Sequence, residues 1–286
     1  MSEARFSILL AAGRGTRMRE AADIALSAEQ SAAADRGLKV LVPIHGRPYL
    51  AYVLDEVAAA GFEEVCLVVG PDRDGAPDPV RAAAAALDSP LRVHFAEQPE
   101  PRGSADALLA AEAAVQDAPF VVLNADNIYP ADVLRRLRAL DVPGLAAFDS
   151  DALVRASNIP PERLAAFALV REQRGWLAEI VEKPAAEDRD RLAGALVSMT
   201  CWRFDRSIFD ACRAIRPSVR GELELPDAVA LALRQGTRFR VVRVHGGVLD
   251  LSRREDIPAL ERILAGWKTA VARLEEGGAH GHRGRL

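Results

Sequence analysis

Gly13, Gly15, Thr16 and Arg17 stand where the apolar run SILLAA breaks into GRGTRM. Two glycines let a backbone come close to an anion, and the following arginine supplies charge to hold it. Lys39 and Lys183 point to the same kind of partner. The chain carries 34 arginines but only three lysines, the third being Lys268. A lysine kept against that bias suits a place for one compact ammonium, where a guanidinium fork would not fit. Chance survival is the alternative for Lys39 and Lys183; Lys268, in a charged C-terminal helical stretch, reads as solvated. Asp126 follows the apolar run FVVL within NADN, at the carboxyl end of an expected strand. A carboxylate there is a hard oxygen ligand of the kind Mg2+ takes, with an Asx turn or helix cap as the plain alternative. In EQPEPRGSADAL, the Gln98 amide can donate to and accept from the edge of a base. Gly103 and the Ser104 amide could close on the other side, and a solvated turn is the alternative.

These groups need elements to hold them. Short β-branched runs alternate with alanine-rich helical patterns, which predicts an α/β fold with a mostly parallel sheet flanked by helices. Strands are expected at 5–11, 64–69, 91–96 and 120–124, with helices at 49–60, 80–87 and 104–115. After residue 140 strands at 166–170, 177–182 and 196–204 follow with little helix between, as antiparallel additions would. Strands at 239–244 and 248–251 precede a long final helix. The tail GGAHGHRGRL reads as frayed, with His280 and His282 in solvent.

Composition narrows the function classes. The chain has 286 residues and a formal net charge of -4, so it has no global footprint for nucleic acid. No apolar run reaches the length of a membrane span. Three unpatterned cysteines fit reduced thiols in a cytoplasm, and no His/Cys spacing suggests zinc. A dinucleotide-binding turn wants a third glycine where Met18 sits, and a P-loop wants a closing Gly-Lys-Ser/Thr that is absent. What remains is a tight turn or a glycine loop whose amides, with Arg17, wrap a nucleoside triphosphate.

LLAAGRGTRM, Lys39 in GLKVLVPIHGRPYL, EQPEPRGSADAL, NADN, VEKP and RGELELPDA occur in one order. Together, over about residues 5 to 255, they resemble the sugar-1-phosphate nucleotidylyltransferases. The resemblance implies a Rossmann-like mixed sheet in a single domain, expected over residues 1–275 with a flexible tail at 276–286. It also implies Mg2+-dependent transfer from a nucleoside triphosphate to a sugar 1-phosphate, with pyrophosphate released and a homo-oligomer possible. Leu10, Ala11, Ala12, Gly13, Gly15 and Thr16 would then carry the triphosphate with Arg17, while Lys39 reaches its phosphates. Gln98, Gly103 and Ser104 resemble members that read uracil or thymine. Lys183 would meet the sugar phosphate and Glu182 the sugar hydroxyls. Glu222 or Glu224 are possible contacts near the sugar, or simply an acidic helix start. The second metal ligand of the family corresponds to Asp250 in GVLDLS, but SRRED stands where Gly-Thr is usual.

The acceptor pocket departs from the family pattern. Phe167-Ala168-Leu169 stands for Tyr-Gly-Val, and LVSMTCWRF places Ser198 and Thr200 where an Asn-x-Gly turn is usual. Less free volume would follow, and a sugar other than glucose or N-acetylglucosamine. The 21 residues between Arg17 and Lys39 are about twice the usual number, and their strong helix formers predict an inserted helix. It could be a lid, an interface or a longer loop. A cytidylyltransferase for another phosphorylated alcohol, such as phosphocholine, and an inactive nucleotide-sugar-binding homologue are the competing functions.

Overall fold

The computed structural model describes residues 3–72, 75–115, 117–192 and 194–266. In the first half the strands are β1 (Phe6–Leu10), β2 (Pro43–Ile44), β3 (Arg47–Pro48), β4 (Glu64–Val69), β5 (Arg92–Glu97), β6 (Phe120–Asn124) and β7 (Asn127–Ile128). There follow β8 (Gly144–Phe148), β9 (Ala168–Gln173), β10 (Trp176–Val181), β11 (Leu196–Phe204), β12 (Arg240–Val244) and β13 (Leu249–Asp250). Nine of them form one sheet in the order β5-β4-β1-β6-β11-β8-β12-β10-β9, in which β11 also pairs with β9.

Alternation along the central strands feeds two cores. Ile8 packs with Cys66, Val68 and Val122 on one face, and Leu9 with Leu67, Val121 and Leu123 on the other. The helix Tyr49–Ala59 seals the Leu9 face, and the helices Ser104–Ala110 and Leu225–Arg234 seal the Ile8 face. Strands covered on both faces need no polar alternation, which is why they read as continuous apolar runs. Cys66, Cys201 and Cys212 are buried and unpaired.

Every pairing among β5, β4, β1 and β6 is parallel. Beyond them only β8–β12 is parallel; β11 and β10 run antiparallel to all their neighbours. The expectation of a mostly parallel sheet therefore describes the first half, and the whole is mixed. In the parallel part the strands lie in the order third, second, first, fourth. The direction of winding changes between β1 and β6, and ligands bind at the carboxyl ends of strands beside such a change.

Two differences from expectation have identifiable physical causes. The strand Gly144–Phe148 lies where no strand is expected, because GLAAF lacks the β-branched residues that signal one. Pairing with β11 on one side and β12 on the other imposes its conformation. The expected strand at 248–251 shortens to Leu249–Asp250 and leaves the main sheet for a ribbon with β7. The insertion does contain a helix, Ala28–Asp35, opened by a capping box between Ser27 and Gln30. Lys268, His280, His282 and the 276–286 tail lie outside the described residues. Among those described, no helix is long and apolar enough to cross a membrane.

Candidate active site

The loop after β1 is built around Gly15, whose φ of 60° is the left-handed conformation glycine adopts without strain. A Cβ there would sit 2.0 Å from the Gly37 carbonyl oxygen, so the loop is seated on the segment leading to Lys39. The Lys39 ammonium lies 3.9 Å from where a Gly13 Cβ would stand and pairs with the Asp126 carboxylate. Asp126 sits just past β6, and the Ala125 amide donates to the Leu10 carbonyl, 3.2 Å away, at the end of β1. Gly13, Lys39 and Asp126 thus meet at the carboxyl ends of β1 and β6, where the winding changes. Leu10, Ala11 and Ala12 are half-buried there, while Gly13, Thr16 and Arg17 are exposed.

The β7–β13 ribbon sets Asp250 opposite Asn127, one residue from Asp126. Asp250 is already engaged. Arg163 donates to one of its carboxylate oxygens, while Asn127 at 3.0 Å and Ser252 at 3.2 Å donate to the other. The same guanidinium donates to Asp256 at 2.6 Å, and the Asn158 amide group bonds both the Asp250 carbonyl and its N–H. Burial, then the neighbouring Asp126, push the Asp250 carboxyl upward, and Arg163 opposes them. Among the described residues no group of three or more His, Cys, Asp or Glu side chains stands ready to hold a metal.

The base-side loop and the RGELELPDA loop are locked together by backbone. Leu223 N–H donates to Arg102 and Ala105 N–H to Leu223, while the Ser104 hydroxyl accepts from Leu225 N–H at the start of the helix Leu225–Arg234. Gly103, at φ 121°, would place a Cβ 2.4 Å from the Leu223 carbonyl oxygen. Replacing Gly103 by alanine should therefore part the two loops. The expected result is a melting temperature lower by several degrees, as for a loss of 1–3 kcal/mol at a strained position, which a thermal melt would measure. An unchanged melt would show that the loops move apart freely. Gln98, 3 % exposed, donates through Nε2 to the Gly103 carbonyl at 3.2 Å and to Asp106 at 2.8 Å.

The expected acceptor residues lie at the start of β9, just past β10 and within β11. Ala168 and Ser198 are register partners across β9 and β11. Thr200 lies at φ 55° in the register shift of β11 between Ser198 and Trp202, a conformation rare for a β-branched residue. A glycine adopts that backbone without strain, and here a threonine holds it. Lys183, just past β10, is also left-handed at φ 43°. Its ammonium is 3.5 Å from Glu182 and 3.8 Å from Glu224, and Arg220 pairs with Glu224 and, at 2.9 Å, with Glu222. Burial, then the Glu224 carboxylate, push the Glu182 carboxyl up to about 7.

Tyr129 joins the two ends. Its buried hydroxyl donates to the Met199 carbonyl at 2.6 Å and accepts from the Asn124 amide at 3.3 Å, tying the Asp126 strand to the Thr200 bulge. Sequence reasoning missed Tyr129, Arg163, Asn158 and Asp256. One faint signal existed for Asn158: it is the third of only three asparagines, and the other two flank Asp126.

Residues 6–247 match the family model described as nucleotidyl transferase. The chain is 28% identical over 265 residues to the UTP–glucose-1-phosphate uridylyltransferase AglF of Haloferax volcanii, covering 90% of this chain and 96% of that protein. It is 30% identical over 261 residues to a glucose-1-phosphate thymidylyltransferase of Streptomyces griseus, covering 90% of this chain and 65% of the relative. A UDP-glucose pyrophosphorylase crystallised with UDP-glucose shares the fold at a TM-score of 0.69 and 19% identity, over 93% of this chain and 99% of that one. The chain is a nucleotidyl transferase. Within that class it belongs to the sugar-1-phosphate nucleotidylyltransferase family.

Proposed function

We propose that this protein joins UTP or dTTP to a sugar 1-phosphate on its Rossmann-like sheet, giving a nucleoside diphosphate sugar and pyrophosphate. An oxygen of the sugar phosphate attacks the α-phosphorus as the bond to the β-phosphate oxygen breaks. Both reactants are anionic, so catalysis consists of cations and positioning. The observation that carries the reading is the convergence of the Gly13–Gly15 loop, Lys39 and Asp126 beside the change of winding.

The amides from Gly13 to Thr16 would take the triphosphate, with Arg17 and Lys39 as its cations. Lys183, on the acceptor side, would meet the sugar phosphate, with Glu182 accepting from a sugar hydroxyl. Asp126 is the hard oxygen ligand that fits a Mg2+ ion held mainly by substrate phosphates, as such ions are with one or two carboxylates. When bound, the ion neutralises and aligns phosphate oxygens. Asp250 would join it only by giving up Arg163.

Gln98 decides the base. Both partners of its Nε2 are acceptors, so the amide orientation follows from chemistry, and its carbonyl oxygen is what it has left to offer. That oxygen matches the N3–H donor of uracil or thymine, whereas cytosine presents an acceptor at N3. UTP and dTTP are expected to outperform CTP, ATP and GTP by about 10- to 100-fold in kcat/KM, the cost of a buried polar mismatch of 1–3 kcal/mol. Pyrophosphate release across the five nucleotides with a panel of sugar phosphates tests this. Equal rates with CTP would favour the cytidylyltransferase reading, and no release with any of them the inactive homologue.

A further inference from the structure

The inserted helix and the altered motif after Asp250, both departures from the family pattern, touch each other. Arg254, in SRRED, reaches back with its Nε donating to the Met18 carbonyl at 2.9 Å. A second nitrogen of the same guanidinium pairs with Asp35, the last residue of the helix Ala28–Asp35, at 2.5 Å. Met18 is buried in the short turn Thr16–Arg19, whose Met18 and Arg19 amides both bond back to the Gly15 carbonyl. Two residues beyond Asp35, Gly37 lies against Gly15. Arg19 closes the same turn by donating to the Arg14 carbonyl at 2.7 Å. At its other end the inserted helix is anchored by Gln30, whose amide donates to the Pro43 carbonyl at 3.0 Å and to Glu261 at 2.7 Å.

We propose that Arg254 is a positioning residue for the loop Gly13–Arg19, and that the insertion is the fixed brace against which it holds that loop. A lid needs one free edge, and this helix is fastened at both ends and to the loop itself. The brace replaces freedom in a glycine loop with one defined backbone, which lowers the cost of ordering it on a triphosphate. The guanidinium suits the task because its planar fork can bond a carbonyl and a carboxylate at once, which an ammonium on a flexible stem does less rigidly. This inference rests on the loop's role in nucleotide binding for its catalytic meaning but not for its structural content.

The experiment is Arg254→Met, read in two ways. Without ligand, hydrogen exchange at the Met18 and Arg19 amides is expected to quicken about tenfold, while β6 exchanges as in the wild type. Calorimetry with dTTP or UTP alone should show binding weakened about tenfold, and in the steady state KM for the nucleotide should rise while KM for the sugar phosphate stays level. Asp35→Asn removes the brace but keeps the Met18 contact, so it should move the same readings by a smaller factor, about threefold, and it serves if Arg254→Met fails to fold. Unchanged exchange at Met18 and Arg19 would overturn the proposal, as would acceleration spread evenly over the molecule. A wild type that binds neither dTTP nor UTP would instead defeat the proposed function, and the exchange result would still decide the role of Arg254.

Discussion

Changing Asp126 to asparagine is expected to lower turnover at least ~100-fold, comparable to removing one strong electrostatic contact from a transition state. The side chain keeps its shape and can still accept from Lys39, so the fold should hold. What disappears is the negative charge at the carboxyl end of β6, which is paired with Lys39 rather than with an arginine. Pyrophosphate release at saturating substrate and excess Mg2+ is the measurement, and near-normal turnover would end the assignment. Asp250→Asn is expected to behave differently. Its charge balances Arg163, which stays paired with Asp256, so the loss should appear chiefly in the melting temperature, since unpairing a buried charge costs about 3–5 kcal/mol at most. A fall in turnover matching that of Asp126→Asn, with stability intact, would make Asp250 an equal metal ligand.

Lys39→Arg is expected to cost about 100-fold in rate although it preserves charge. The chain itself shows what arginine does beside a carboxylate here: Arg163 spans Asp250 and Asp256 and is fully engaged by them. An arginine at 39 could set two parallel N–H donors on the single Asp126 carboxylate, a bidentate pair harder to leave than one ammonium contact. Lysine's ammonium forms one point contact on a flexible stem and can pass from Asp126 to an arriving phosphate. The guanidinium is also larger than the ammonium, which stands 3.9 Å from where a Gly13 Cβ would be, and a displacement of the reacting phosphates near 1 Å can cost a hundredfold. Steady-state rates and a melt of Lys39→Arg, set beside Lys183→Arg, check the argument. Wild-type rates in both would leave the lysines without a special role.

Several features were legible in the amino-acid order because their causes are local. The central strands β1, β4 and β6 declare themselves as short runs of Val, Ile, Leu and Cys closed by turn residues. The Gly-x-Gly break after β1 and the Asp after β6 follow from the same reading, since a polar residue ending an apolar strand has to emerge at the sheet's edge. Lysine scarcity marks Lys39 and Lys183 in the amino-acid order alone. Even the inserted helix could be foreseen from its alanines and glutamates, although only Ala28–Asp35 adopts it.

Other features belong to the tertiary structure alone. GLAAF becomes a strand because two neighbours impose it, a non-local cause that propensity does not carry. The meeting of Asp126 with Asp250 depends on a two-residue ribbon between β7 and β13, segments more than a hundred residues apart. Nothing in PPERLAA announces that Arg163 will be buried between two carboxylates, because burial of an arginine is decided by which acids the fold brings to it. Likewise Gln98 could be marked as an amide suited to the edge of a base, but which of its two polar atoms is taken up waited on Gly103 and Asp106 accepting from Nε2. By itself the sequence marked the central strands, the order of the motifs and the kinds of group proposed for the chemistry. The fold decided which of those groups are free to act and which are spent on one another, since a hydrogen bond between distant segments exists only once packing has put its partners in reach.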